Sequence, residues 1–356
     1  MRRVLKICLS AWILGSLSGG LTGCQTLEPM KRADEGAALG RPANWASVDE
    51  NPASHPDGRP GEVEGAPIFE LAHQSSDVQV RFQRVKTPMI AQAHAPWTLL
   101  WLDELFDDVE IIQVKNAPLA GVDALRVDAA YRARDESIRD ELWLLNQNGA
   151  TYLLEFWGTP DAMEQTSDER RKIRESLTLS TPNSEEQSTD DDSSGEARNI
   201  FKSHETPYWR IELPQANAGS NDEASDIEGV WRMDLLDENA WKFHLPARLI
   251  TVEILAEELD YPLETTIYAQ KSLKRQQNTE NLRILSDSTS FAGEMAAGIL
   301  NSAGLAPMAV QYYYLTDEKR ALQLVVSTPE TLLDVNQPLI DQLVQSLQIQ
   351  PADQNH

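Results

Sequence analysis

Two stretches of this chain share one pattern of apolar and polar positions. Residues 143–160 read WLLNQNGATYLLEFWGTP and residues 312–329 read YYYLTDEKRALQLVVSTP. Each is an apolar run, a polar turn, a second apolar run and a Thr-Pro pair, a pattern that predicts a β-hairpin. A helix is expected after each. In the first, Thr166 and Glu169 have capping-box spacing, and Ile173 and Leu177 share a face. In the second, Asn336 is placed to cap, Pro338 to sit in the first turn, and Leu339, Ile340, Leu343, Val344 and Leu347 to form one apolar stripe. Leu177 lies 17 residues after Pro160 and Leu347 lies 18 after Pro329, as a tandem duplication would leave them.

Upstream patterns extend both units. Alternation at 78–85 and 124–133 predicts strands, the second with Leu125, Val127, Ala129 and Tyr131 on one face. Residues 208–213, 231–236, 241–245, 249–254, 265–270 and 282–285 read as short strands. The four-residue steps of Phe291, Met295 and Ile299 predict a helix over 289–303, ended by Gly304. The expected fold is α+β: two tandem, duplicated antiparallel sheets, each closed by a C-terminal helix. The domains are expected at 67–180 and 204–350. Between them, 181–203 is an acidic tract without apolar period, and 24–66, broken by Pro29, Pro42, Pro52, Pro56 and Pro60, reads as a disordered tether.

Residues 1–23 differ from both. Arg2, Arg3 and Lys6 precede an apolar run at 7–17, too short to span a bilayer, followed by Leu21-Thr22-Gly23-Cys24. This resembles the lipobox of bacterial lipoprotein precursors. The resemblance implies cleavage before Cys24, diacylglyceryl on its thiol, and a membrane held as partner through that lipid, because two or more acyl chains anchor stably. Gln25, where such lipoproteins retained on the inner membrane tend to carry aspartate, implies the outer membrane, facing the periplasm, in a two-membrane host. Cys8 is the only other cysteine and lies in the leader, so the expected mature body has neither disulfide nor cysteine nucleophile.

Charge narrows the partners. Against 31 basic residues stand 56 acidic ones, a formal net charge of −25, which opposes nucleic acid. Cations concentrate once, at Arg170, Arg171, Lys172 and Arg174, an expected contact for an acidic partner or for the acidic linker. Asp103, Glu104, Asp107 and Asp108 would stack like charges on a helix. Asp190, Asp192, Ser194 and Gly195 mimic the start of an EF-hand loop, but position 12 is Phe201 rather than glutamate. The eight tryptophans beyond Trp12 read as core.

No nucleophile elbow, zinc-protease helix or phosphate loop occurs, and the six histidines are scattered; no cofactor or metal site is read. Phrases such as Trp209-Arg210-Ile211-Glu212-Leu213-Pro214 and Lys242-Phe243-His244-Leu245-Pro246 resemble the PsbP-like α/β/α sandwich domains over about the last 140 residues. That resemblance implies a non-enzymatic accessory or binding role. The sequence expectation is a membrane-anchored envelope protein binding a protein or polymer. The alternative is an envelope hydrolase whose site, around His244, forms only in the fold.

Overall fold

The computed structural model describes residues 27–48, 67–133, 135–180, 203–214, 230–237, 239–276, 279–285, 291, 293–317 and 319–350. The first half runs β1 (Glu28–Arg32), β2 (Ala37–Arg41), β3 (Trp45–Ser47), β4 (Pro67–His73), β5 (Gln79–Arg84), α1 (His94–Leu105), β6 (Asp107–Leu119), β7 (Val122–Ala133), β8 (Glu136–Gln147), β9 (Ala150–Gly158), α2 (Pro160–Gln165), α3 (Ser167–Ser176) and β10 (Thr178–Leu179). The second runs β11 (Ser203–Glu205), β12 (Trp209–Glu212), β13 (Arg232–Asp237), β14 (Ala240–Leu245), β15 (Ile250–Glu258), α4 (Thr265–Leu273), β16 (Thr279–Leu285), β17 (Glu294–Leu300), β18 (Met308–Asp317), β19 (Arg320–Pro329), α5 (Leu333–Ser346) and β20 (Gln348–Ile349).

One plan is built twice. The large sheets have the orders β3-β4-β5-β9-β8-β7-β6 and β13-β14-β15-β19-β18-β17-β16, antiparallel throughout, and each half adds a small sheet, β1-β2-β10 or β11-β12-β20. Alternate strand residues supply two apolar faces, and a helix covers each. In the first half Ala162, Met163 and Ile173 of α2 and α3 close one face and Leu102 of α1 the other. In the second, Ile340, Leu343 and Val344 of α5 pack on one face and Tyr268 and Ala269 of α4 on the other. This is the expected α+β architecture as an α/β/α sandwich.

The helix ends match in detail. Ser176 Oγ donates to the Ile173 carbonyl and accepts from Gly40 N–H at 2.7 Å, while Ser346 Oγ bonds the Leu343 carbonyl and accepts from Glu212 N–H at 2.9 Å. Across the hairpin turns Gln147 pairs with Ala150 and Asp317 with Arg320, a displacement of 170 residues. Superposing the two Thr-Pro pairs gives 169 instead, and in a strand one residue of slip exchanges the faces. The Asn-Gly turn of the first hairpin is as expected, with φ of 52° at Asn148 and 70° at Gly149.

Several expectations are corrected. Residues 27–48 of the expected tether are folded: β1 pairs with β2, β2 also pairs with β10, and Trp45, 2% exposed, lies in the core. Proline failed as a signal there because Pro29 sits on β1, an edge strand, where a missing N–H costs no ladder bond. Within the helix expected at 289–303, residues 294–300 instead form β17, since steps of four share a face in a strand as well as in a helix. Conversely, 265–270 belong to α4. α5 begins at Leu333, so Asn336 lies inside it, its amide donating to Thr328 Oγ1 and the Arg248 carbonyl, and Pro338 is an interior residue. α1 ends at Leu105 and Asp107 opens β6, so the four acidic residues share no helical face. Thr166 precedes α3, but its hydroxyl donates to the Ala162 carbonyl instead of capping. Cys24, the lipobox and the EF-hand-like tract lie outside the described residues.

The halves touch through one end of the second. Leu249, Leu305 and Leu332 pack on the α1 face of the first half, beside Met89 and Ile90. Ile90 N–H donates to the Ala247 carbonyl at 3.1 Å, and Arg232 to Thr87 Oγ1 at 2.9 Å. The loop carrying Met89 is held from behind: Met89 N–H donates to Thr151 Oγ1, Asn146 Nδ2 to the Met89 carbonyl, and His94 Nε2 lies 3.0 Å from Asn146 Oδ1. Burial drives His94 down to about 4, outweighing its hydrogen bonds.

Candidate functional site: a cleft made twice

Each half opens a cleft at the same place, between the strands that begin its hairpin and the start of its closing helix. In the first half it holds about 390 Å³ and is lined by Asp128 on β7, Arg139 and Glu141 on β8, and Pro160, Met163 and Arg170 on α2 and α3. In the second it holds about 600 Å³, with Ala297 and Ile299 on β17, Ala309 and Gln311 on β18, and Glu330 and Leu333 at the approach to α5. The displacement of 170 converts Arg139, Glu141, Pro160 and Met163 into Ala309, Gln311, Glu330 and Leu333. Asp128 faces Glu141 across the strands as Ala297 faces Gln311, so these correspond as well.

At the floor of the first cleft Glu141, its side chain 7% exposed, takes three arginines. Arg170 Nη1 donates to Oε2, Arg174 Nη1 to Oε1 at 2.8 Å, and Arg126 Nη2 stands 3.7 Å from Oε1. Trp143 Nε1 donates to Oε1 at 2.9 Å, and the guanidinium groups of Arg174 and Arg126 lie 4.8 and 5.2 Å from the Trp143 ring centroid. Burial alone would raise the Glu141 carboxyl, but the arginines and the indole N–H hold it below the ordinary carboxylate range. In the second cleft the same hydrogen bond persists without charge: Tyr313 Oη donates to Gln311 Oε1 at 2.8 Å. Ile340, Val344 and Met295 occupy the places of Arg170, Arg174 and Arg126.

The four cations singled out in the sequence therefore divide. Arg170 and Arg174 turn inward to Glu141; Arg171 is exposed and pairs with Asp168 at 2.8 Å; Lys172 is half-buried. Glu141, Trp143 and Arg126 were not singled out as a group in the sequence, though a glutamate directly before the apolar run LWLL was a signal.

Possible catalytic groups lie elsewhere. His244 stands between Asp234 at 3.5 Å and Thr251 at 3.2 Å, all on the neighbouring strands β13, β14 and β15 as a cross-strand ladder. His73 Nδ1 is 2.8 Å from Ser76 Oγ and its Nε2 3.4 Å from Glu169, which also accepts from Trp45 Nε1 at 2.7 Å. No three His, Cys, Asp or Glu side chains converge as a metal site among the described residues. No helix among them is long and apolar enough to cross a membrane.

No protein-family model matches the chain, and no curated protein matches it in sequence. Solved structures overlap it only at low scores. The cyanobacterial PsbP (CyanoP) of Synechocystis sp. PCC 6803 is similar over 46% of this chain and 98% of its own, with 12% identity and a TM-score of 0.34. LpqN of Mycobacterium tuberculosis, described as involved in cell envelope biogenesis, covers 43% of this chain and 90% of its own at 15% identity and a TM-score of 0.30. The immunity protein TplEi of a Pseudomonas aeruginosa T6SS spans 91% of this chain and 98% of its own, at 10% identity and a TM-score of 0.22. Overlaps this loose carry no functional argument.

Proposed function

We propose that this chain is a membrane-anchored envelope lipoprotein, acylated on Cys24, whose body is a non-catalytic binding or assembly module. The observation that supports it best is the repeated cleft: one fold keeps the opening twice and changes its lining from mostly charged to largely apolar. A module that presents one opening in two chemistries is built for recognition. In the first half, an acidic partner approaching α3 from outside meets Arg171 and Lys172, because Glu141 engages the two other cations. Crosslinking in intact cells followed by mass spectrometry tests the reading. Protein or polymer adducts at the rims of the clefts are expected; recovery of lipid alone would sink it. Replacing Cys24 by Ser is expected to release the chain from the membrane fraction.

The hydrolase alternative has one observation in its favour, the Ser76–His73–Glu169 chain. Ser76 lies three residues from His73 in the same turn, and Glu169 is tied to Trp45, which suits a role in joining β3, β4 and α3. A fluorophosphonate probe is expected to leave Ser76 unlabelled; labelling abolished by Ser76→Ala would reverse the order of the two readings.

A further inference from the structure

We infer that the second cleft is the docking site for a short extended peptide segment that adds to the edge of β16 and seats one large apolar side chain. The inference rests on the binding-module reading and names the ligand class of one of its two openings.

Three features converge there. First, β16 ends its sheet, so one side of its backbone has no strand partner among the described residues, and Glu280, Asn281, Arg283 and Ile284 are exposed. An exposed edge is a template for another strand. Second, the cleft opens beside that edge. Arg283, Ala297 and Gln311 lie on one sheet level, one per strand, and Ile299 and Ala309 pair at the next level. Ala297, Ile299, Ala309 and Leu333 make the lining largely apolar, and about 600 Å³ is within the range of sites that enclose ligand groups. An edge strand beside such a pocket is the arrangement in which main-chain hydrogen bonds give affinity and a side chain in the pocket gives selectivity.

Third, charge selects against the competing occupant. The rim carries Arg283 and Glu330, one of each sign, as suits a dipolar backbone. The whole chain is at −25, a field that opposes a fatty-acid carboxylate and favours a neutral or basic peptide.

Local geometry defines the length of the partner. A bulge between Glu280 and Arg283, with Asn281 at φ 52°, interrupts the ladder to β17. Gly298 permits the close approach of the strands there, since a methyl group on it would fall 2.4 Å from Thr279 Cγ2. Regular pairing on β16 is thus left to residues 283–285, and the incoming strand is short. Its anchor side chain carries a large share of the affinity. The first half offers no such seat, because Arg139, Glu141 and Arg170 fill the corresponding walls with charge.

The test is an NMR titration of the full chain with the end-capped peptide Lys-Thr-Val-Phe-Val-Thr-Lys. Shifts are expected at the amides of Arg283 and Ile284 and at the methyls of Ile299 and Leu333, with slowed amide exchange along 283–285. A twin peptide with N-methylated backbone is expected to bind about tenfold more weakly, as loss of main-chain hydrogen bonds requires. Ile299→Asp, checked for folding by circular dichroism, is expected to remove the response. Equal binding of the twin, shifts confined to other surfaces, or tighter binding of dodecanoate in the cleft would each overturn the proposal. Cellular crosslinks to a protein at another surface would overturn it too, while leaving the binding-module reading intact.

Discussion

At one position of the repeat the first half buries a glutamate among three arginines, and the second buries a glutamine bonded to Tyr313 and Gln337, with Ile340, Val344 and Met295 at the positions that match the arginines. Both keep the same short hydrogen bond, from Trp143 to Glu141 and from Tyr313 to Gln311. Both halves thus keep a polar acceptor on that strand and an aromatic donor two residues on, while the charge around them differs. What charge changes is sensitivity. An ionic cluster costs desolvation and returns it only while every partner is present; an apolar set has no such condition.

The largest expected effect follows. Glu141→Gln, which copies the second half at a single position, leaves Arg170 and Arg174 facing a neutral amide, while Arg126 keeps Asp128 at 2.8 Å, and is expected to cost about 3–5 kcal/mol in denaturant unfolding. Adding Arg126→Met, Arg170→Ile and Arg174→Val, together with Asp128→Ala because Asp128 pairs with Arg126 at 2.8 Å and matches Ala297, completes the second half's set and is expected to recover most of the loss. If this quintuple variant were no better than the single one, the two sites would not be interchangeable solutions of one packing problem.

A pH effect separates the halves at a second point. Only the first half holds its interface loop through a buried histidine, His94. The folded value of about 4 lies below the ordinary 6.5, so the folded state resists protonation. Stability is full above about pH 6.5 and falls toward pH 4, by roughly 3 kcal/mol for this group alone. Urea titrations across that window are expected to show the slope in the native chain and to lose it in His94→Gln. A slope unaffected by the substitution would place the titrating group elsewhere.

The smallest effect tests the equivalence itself. Ser176→Ala and Ser346→Ala each remove a hydroxyl that joins a closing helix to its small sheet, and each is expected to cost about 1 kcal/mol. Unequal losses would mean that the matched geometry hides different energetics.

Much of the plan was legible because hairpins carry a local code: period-two alternation around a turn, read on both 143–160 and 312–329. Strand β17 was not legible, since Phe291, Met295 and Ile299 lie four apart and satisfy both periods. The folded part of the expected tether was hidden because short edge strands tolerate proline and need only two or three apolar contacts, such as Trp45 and Leu39. The charged cleft was half legible. Arg170 and Arg174 stood out as a run, but their partner Glu141 and the flanking Arg126 come from β8 and β7, and only the pairing of those strands joins them. The inward turn of two cations out of four follows from helix geometry, since residues four apart share a face.

The contact between the halves has a consequence for self-assembly. It is heterologous, the end of one unit against the flank of the next, which is the kind of joint that grows into open filaments when every unit carries both surfaces. Here Leu249 and Leu332 supply the end of the second unit. The matching residues of the first are Asp77, whose carboxylate is occupied with Thr159, and Ala162. A charge and a missing side chain stand where the next joint would need two leucines, so that end lacks the apolar contacts on which the joint between the halves rests.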